Sequence, residues 1–297
     1  MTSSSRIIIP LLLSGIAFFN PVNAGMFDGF REPLTGIHPL QNDRFILSTS
    51  VYFPATDTGV VFGGGDGSAL EVDLEDRLGF DEQNILPMVQ FSWRMTDHWR
   101  VSADYFRLSE EGQKVLLATI DTGDGTFLTG GAGVISEMDL DILRVLFGYS
   151  FLREEQYELG AGLGAHIGQF DTSVTGLAAI SGGSPGCPLP GPCVAQSTAD
   201  IDEWAPLPNI ALFGNYAITD QWLLDGRIDW FAASFGDYKG KLWNVSASIN
   251  WHPFEHVGFF FMYKFLQFDL KKDKNGLLDW KVDMDFHGPA LGVNVTF

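Results

Sequence analysis

The stretch Gly288-Pro-Ala-Leu-Gly-Val-Asn-Val-Thr-Phe297 (GPALGVNVTF) decides the fold. Leu291, Val293, Val295 and Phe297 fall on one face, and Gly292, Asn294 and Thr296 fall on the other. Strict period-two alternation is the mark of a strand whose two faces meet different media. The pattern recurs back to Arg44. Phe45, Leu47, Val51 and Phe53 oppose Arg44, Ser48, Ser50 and Tyr52; Val89, Phe91 and Trp93 oppose Gln90, Ser92 and Arg94. Trp99, Val101, Ala103 and Tyr105 oppose Arg100, Ser102 and Asp104, while Trp222, Leu224, Ile228 and Trp230 oppose Asp225, Arg227 and Asp229. Trp243 to Trp251 and Val257 to Phe265 repeat the pattern, with Lys264 on the polar side. A soluble sandwich would turn the apolar face to a core and the polar face to water. Here the apolar faces are too aromatic and the polar faces carry charges of both signs. A transmembrane β-barrel accounts for both, with lipid outside and a polar lumen inside.

The connections alternate in length. Four are tight, at 96–98, 153–155, 219–221 and 253–256, and aromatics flank them as a periplasmic girdle would. Between them lie Gly-, Asp- and Ser-rich stretches near 55–84, 109–136, 172–200, 237–240 and 271–279, expected as extracellular loops, mostly long. Counting between turns predicts an all-β, single antiparallel barrel of about ten strands, near 43–54, 84–95, 99–108, 137–151, 156–171, 201–218, 221–236, 241–252, 256–270 and 279–297. Eight or twelve stay open, because 59–74 has the makings of an extra hairpin. Alternation also predicts two face switches, at Ile142 to Val145 and at Gly288-Pro289, each read as a bulge.

The alternating strand ending on Phe297 resembles the C-terminal insertion signal of bacterial outer-membrane barrels. With strands and turns in agreement, the mature chain resembles the small outer-membrane β-barrel proteins of Gram-negative bacteria. The segment Val72-Asp-Leu-Glu-Asp-Arg-Leu-Gly-Phe-Asp81 looks like one that recurs in such barrels without an assigned role. The resemblance implies the outer membrane as location, lipid and lipopolysaccharide as surroundings, and recognition of the C-terminal strand by the barrel-assembly machinery.

The N-terminus agrees. Arg6, the apolar run 7–19 and Val22-Asn23-Ala24 read as a signal peptide cleaved after residue 24. Residues 25–42 then form a periplasmic segment and 43–297 the barrel. With 37 acidic against 18 basic residues and a net charge of −19, nucleic acid is not an expected partner. Cys187 and Cys193, set among prolines and glycines, are expected to close a surface loop as a disulfide. No histidine is near in sequence and the spacing matches no usual zinc pattern, so no metal and no cofactor is expected.

Function would be written on the lumen face. Arg94, Arg100, Asp104, Glu158, His166, Asp225, Arg227, Asp229 and Lys264 are the candidate lumen-lining residues, with Arg144 beside them. In so narrow a barrel such charges either pair into a plug or line a thin hydrated pore. Glycines at 160, 162, 164 and 168 leave a groove down one strand, for neighbouring side chains such as Phe213 or for a ligand near His166. At the outer rim, Asp139-Leu-Asp141 and Asp285-Phe-His287 are similar in spacing to the Asp-Asp and Asp-His pairs of the omptin proteases. The resemblance implies an Asp-His pair activating water, although the surrounding residues do not look like omptin. The role expected is non-enzymatic: structural, surface-interacting, or passage of small solutes through a narrow pore. The alternative is a surface hydrolase.

Overall fold

The computed structural model of the protein describes residues 34–63, 69–73, 85–115, 120–121, 127–128, 133–180, 193–235, 238–274 and 277–297. One short helix, α1 (Pro39–Asn42), precedes fourteen strands. These are β1 (Phe45–Tyr52), β2 (Ala55–Gly63), β3 (Ala69–Asp73), β4 (Leu86–Arg94), β5 (Trp99–Val115), β6 (Ile120–Asp121), β7 (Phe127–Leu128), β8 (Gly133–Arg153), β9 (Tyr157–Ile180), β10 (Cys193–Ala217), β11 (Trp222–Phe235), β12 (Tyr238–Trp251), β13 (Val257–Lys274) and β14 (Leu277–Thr296). Ten of them, β1, β4, β5 and β8 to β14, form a closed antiparallel ring, because β1 pairs with β14 from Ile46↔Thr296 to Tyr52↔Ala290. Closure removes the free edges that lipid could not satisfy. The expected signal peptide, residues 1–24, lies outside the described residues. So does Cys187; Cys193 opens β10 opposite Ile180, and the expected disulfide is therefore outside them too.

The outward faces follow the alternation. Phe45, Leu47, Phe91, Trp99, Phe147, Leu163, Leu212, Ile228, Phe259 and Phe261 are all exposed, which in this fold means lipid-facing. Trp99, Trp222 and Trp251 crowd the periplasmic ends of their strands, with Trp222 and Trp251 stacked at 5.9 Å. Trp230 and Trp243, facing each other, and Trp204, further out on β10, are also exposed, toward the outer side. A crossing needs about 9–11 tilted residues. β9, β10 and β14 have 24, 25 and 20 residues, so the wall stands well above the membrane. Much of 109–115, 133–136, 172–180 and 193–200, expected as loop, is strand. Beyond the bilayer no lipid selects apolar outward residues, so alternation fades in the sequence while the ladder continues.

The stretch 59–74 does contain a hairpin, β2–β3, but it stays outside the ring. β1 ends before Phe53-Pro54, and β2 takes over the outer half of β14, from His287↔Ala55 to Trp280↔Phe62. A side chain at Gly288 would collide with the Phe53 carbonyl at this handover. Neither predicted face switch occurs. Met138, Leu140, Ile142, Arg144 and Leu146 all point inward on β8, and Val282, Met284, Phe286 and Ala290 do so on β14. The register shifts lie instead at Ser150/Leu152 and Lys272/Asp273. The apolar residues that suggested a switch fill the outer part of the lumen. Tyr52, Met88, Phe106, Leu140, Met284 and Phe286 are at most 1% exposed there and form one apolar cluster.

Candidate functional site

All nine residues expected to line the lumen sit on the inner wall, below that apolar cluster. Most of them fall into two groups, with Lys264 above them and Asp225 facing the space between. The lower one centres on Glu158, fully buried near the start of β9. Arg94 grips it with both Nη atoms, at 3.0 and 2.8 Å, and Arg153 Nη1 donates at 2.9 Å. Asn215 donates at 3.0 Å, and the Ser150 hydroxyl donates as well. The middle group centres on Asp229. Arg144 donates Nε and Nη2 to its two oxygens at 3.0 and 2.9 Å, and Asn244 and Asn209 donate at 2.9 and 3.2 Å. Arg227 donates to Asp104 at 2.6 Å and lies 3.2 Å from Asp229; Arg144 also reaches Asp104 at 3.3 Å. Both carboxylates are thus saturated, which is the condition for burying such charges. His166 is buried and meets Asn244 at 3.1 Å. Lys264 points up into the apolar cluster, 4.8 Å above the Phe106 ring.

The glycine groove on β9 is filled by protein. A Cβ at Gly160 would strike the Phe213 ring and lie 2.7 Å from the Tyr149 carbonyl. At Gly148 it would lie 2.8 Å from the same ring. Leu146 occupies the space beside Gly162, and Asn209 that beside Gly164.

Part of the stretch expected as a periplasmic segment, residues 35–41, packs into the periplasmic mouth. Thr35 bonds Asp97 through its amide and its hydroxyl, at 2.8 and 2.9 Å, and the Ile37 amide donates to the Glu155 carbonyl at 3.0 Å. Gln41 donates to Asn215 at 2.8 Å. His38 is fully buried, its ring edge-on to His252 at 4.7 Å. Burial first, and then His252, lower the His38 pKa to about 4; burial lowers His252 to about 4 as well. Burial alone would raise Asp97, but the Thr35 amide, Arg153 and the Thr35 hydroxyl hold it below the usual carboxylate range. Arg153, expected in a turn, swings beneath the barrel and donates to the Thr35 and Gln41 carbonyls at 2.5 and 2.7 Å. A long cationic side chain at the start of a tight turn was the only sequence signal for it. For His38 there was none, because its partners come from remote turns.

The rim residues do not converge. On β8 the inward positions are Met138, Leu140 and Ile142, so Asp139 and Asp141 point out. Tyr105 donates to Asp141 at 2.5 Å and Arg107 pairs with Asp139 at 3.1 Å. On β14, Met284 and Phe286 point in, so Asp283, Asp285 and His287 also point out. Two outward pairs on separate strands of a closed ring share no cleft.

No protein-family model and no curated protein sequence matches the chain. Among solved structures it is similar to the outer membrane protease OmpT from Escherichia coli, at 12% identity over 86% of this chain and 97% of that one, with a TM-score of 0.56. OprG from Pseudomonas aeruginosa matches at 12% identity, 89% and 99% coverage and a TM-score of 0.36. The toluene transporter TodX of P. putida matches at 10%, 88% and 92%, with 0.33. The fold, the lipid-facing exterior and the aromatic tiers define an integral outer-membrane β-barrel protein, and the outer membrane is where it resides.

Proposed function

We propose that this protein is a non-conducting outer-membrane barrel with a structural and surface-interacting role. One observation carries this reading: among the described residues, side chains and α1 occupy the lumen at three levels. An apolar cluster fills its outer part, the Glu158 and Asp229 groups cross its middle, and residues 35–41 pack into the periplasmic mouth. An apolar constriction excludes water and ions even where a gap remains. What the wall presents to the outside is its extension beyond the facing Trp230 and Trp243. There Arg107 and Lys281 stand among Asp139, Asp269 and Asp283 on outward positions. Such mixed charges suit lipopolysaccharide, with bridging divalent cations. The omptin-like alternative keeps its spacing but has no shared cleft to support it.

Planar-bilayer recording of the purified, refolded protein tests the reading. Silence at moderate voltage is expected. Discrete, ion-selective steps from the wild type would overturn it.

A further inference from the structure

Between α1 and the apolar cluster lies a chamber of about 150 Å³. A cavity near that size holds a molecule of about six heavy atoms. Leu40 of α1 lines it from below, and Leu146, Phe260 and Met262 also line it. Most of the remaining wall is polar, with Ser246, Ser248 and Asn250 on one side.

Two charged side chains border this chamber without a hydrogen-bonded partner among the described residues. Arg94 and Arg153 already hold both oxygens of Glu158, which leaves Arg100 Nη1 3.9 Å away, beyond hydrogen-bond reach. Arg100 Nε is buried and unpartnered among the described residues, and the guanidinium lies flat on Phe213 at 3.4 Å. Asp225 lines the same chamber and feels the charges of Arg100 and Arg227 without a hydrogen bond or ion pair among the described residues. Its neighbour on that face, Arg227, is engaged by Asp104 and Asp229. Of the other carboxylates on this stretch of inner wall, Glu158 and Asp229 are held on both oxygens, and Asp104 takes Arg227 and Arg144 on one. A cation and an anion are thus held open toward one small polar space, by a wall that pairs its other charges closely.

We propose that the chamber is a binding site for a small zwitterion, an amino-acid- or betaine-sized molecule whose carboxylate docks on Arg100 and whose ammonium docks on Asp225. Phe213 fixes the guanidinium plane, and the serine hydroxyls and Asn250 offer further hydrogen bonds. The apolar cluster seals the outer side, so the ligand enters from the periplasm when α1 lifts. The site is a dead-end pocket and does not require the barrel to conduct.

The test is calorimetric titration of the full, refolded protein in detergent micelles with glycine and trimethylglycine, using acetate and methylammonium as single-charge probes. Saturable one-site binding of a zwitterion is expected, at least about tenfold tighter than either single-charge probe, as two charge-assisted contacts imply over one. Arg100→Met and Asp225→Asn should each weaken it by about tenfold or more. Ser248→Leu keeps both charges but fills the chamber, and should abolish binding; heat-modifiable migration on gels reports whether each variant folds. If Arg100→Met does not fold, Asp225→Asn and Ser248→Leu carry the test. The proposal falls if no zwitterion binds the wild type up to about 10 mM, the chamber then holding solvent only. It falls equally if acetate binds as tightly as glycine and Asp225→Asn changes nothing, or if Ser248→Leu leaves binding intact.

Discussion

Arg144 on β8 and Asp229 on β11 meet end to end across the lumen, Nε to Oδ2 at 3.0 Å and Nη2 to Oδ1 at 2.9 Å, with 2% and 0% of their side chains exposed. The pair bridges strands three apart in the ring, which backbone ladders between neighbours cannot do. Removing one partner leaves a buried charge. Asp229→Asn should therefore lower stability by about 3–5 kcal/mol. The outward pair Arg107–Asp139, at 3.1 Å and roughly half exposed, offers the contrast; Asp139→Asn should cost less than about 1 kcal/mol. Urea titration of reversible folding into vesicles checks both. Equal costs would mean that the lumen is wetter than its geometry implies.

Phe213 occupies the space that Gly148 and Gly160 leave open. Gly148→Ala should destabilise by about 1–3 kcal/mol, and Phe213→Leu should recover most of it, since only side-chain atoms are met there. Gly160→Ala should be recovered less, because its Cβ also faces the Tyr149 carbonyl at 2.7 Å. Identical rescue at both positions would show that the ring alone sets the constraint.

The plug at the periplasmic mouth should weaken in acid. His38 and His252 have pKa values near 4 when docked and near 6.5 when released. A lowered histidine pKa means that the released form binds more protons between those values. Docking is therefore strongest above about pH 6.5 and declines as pH falls toward 4. Asp97 acts in the same direction lower down, its contribution lost as it protonates below its ordinary range. Hydrogen exchange of the Leu40 and Gln41 amides, corrected for intrinsic rate, should show less protection at pH 5 than at pH 7.5. Unchanged protection would remove the histidines from the docking balance.

Trp99, Trp222 and Trp251 on the periplasmic side, and Trp204, Trp230 and Trp243 on the outer side, all face outward. Single-tryptophan variants in vesicles of lipids brominated near the headgroup should be quenched more strongly than in lipids brominated at the chain end. The reverse order for Trp230 and Trp243 would place the membrane higher on the wall.

The sequence by itself determined the barrel, its orientation and the identity of the nine lumen residues, because a transmembrane strand must alternate wherever lipid meets one face and protein the other. It determined the four tight turns for the same reason: aromatic residues mark where the apolar belt ends. Tertiary structure alone decided what the lumen does. Whether Arg94, Arg153 or Arg100 wins Glu158 depends on which strands the ring brings opposite one another. That Met138 and Ile142 point inward, and Asp139 and Asp141 outward, was hidden because an apolar lumen and an apolar exterior have the same local signature. The plug at His38 and the open charges of Arg100 and Asp225 were hidden more deeply still. His38 gains a partner, and Arg100 loses one, more than fifty residues away in sequence, while Asp225 loses Arg227 to Asp104 across the ring.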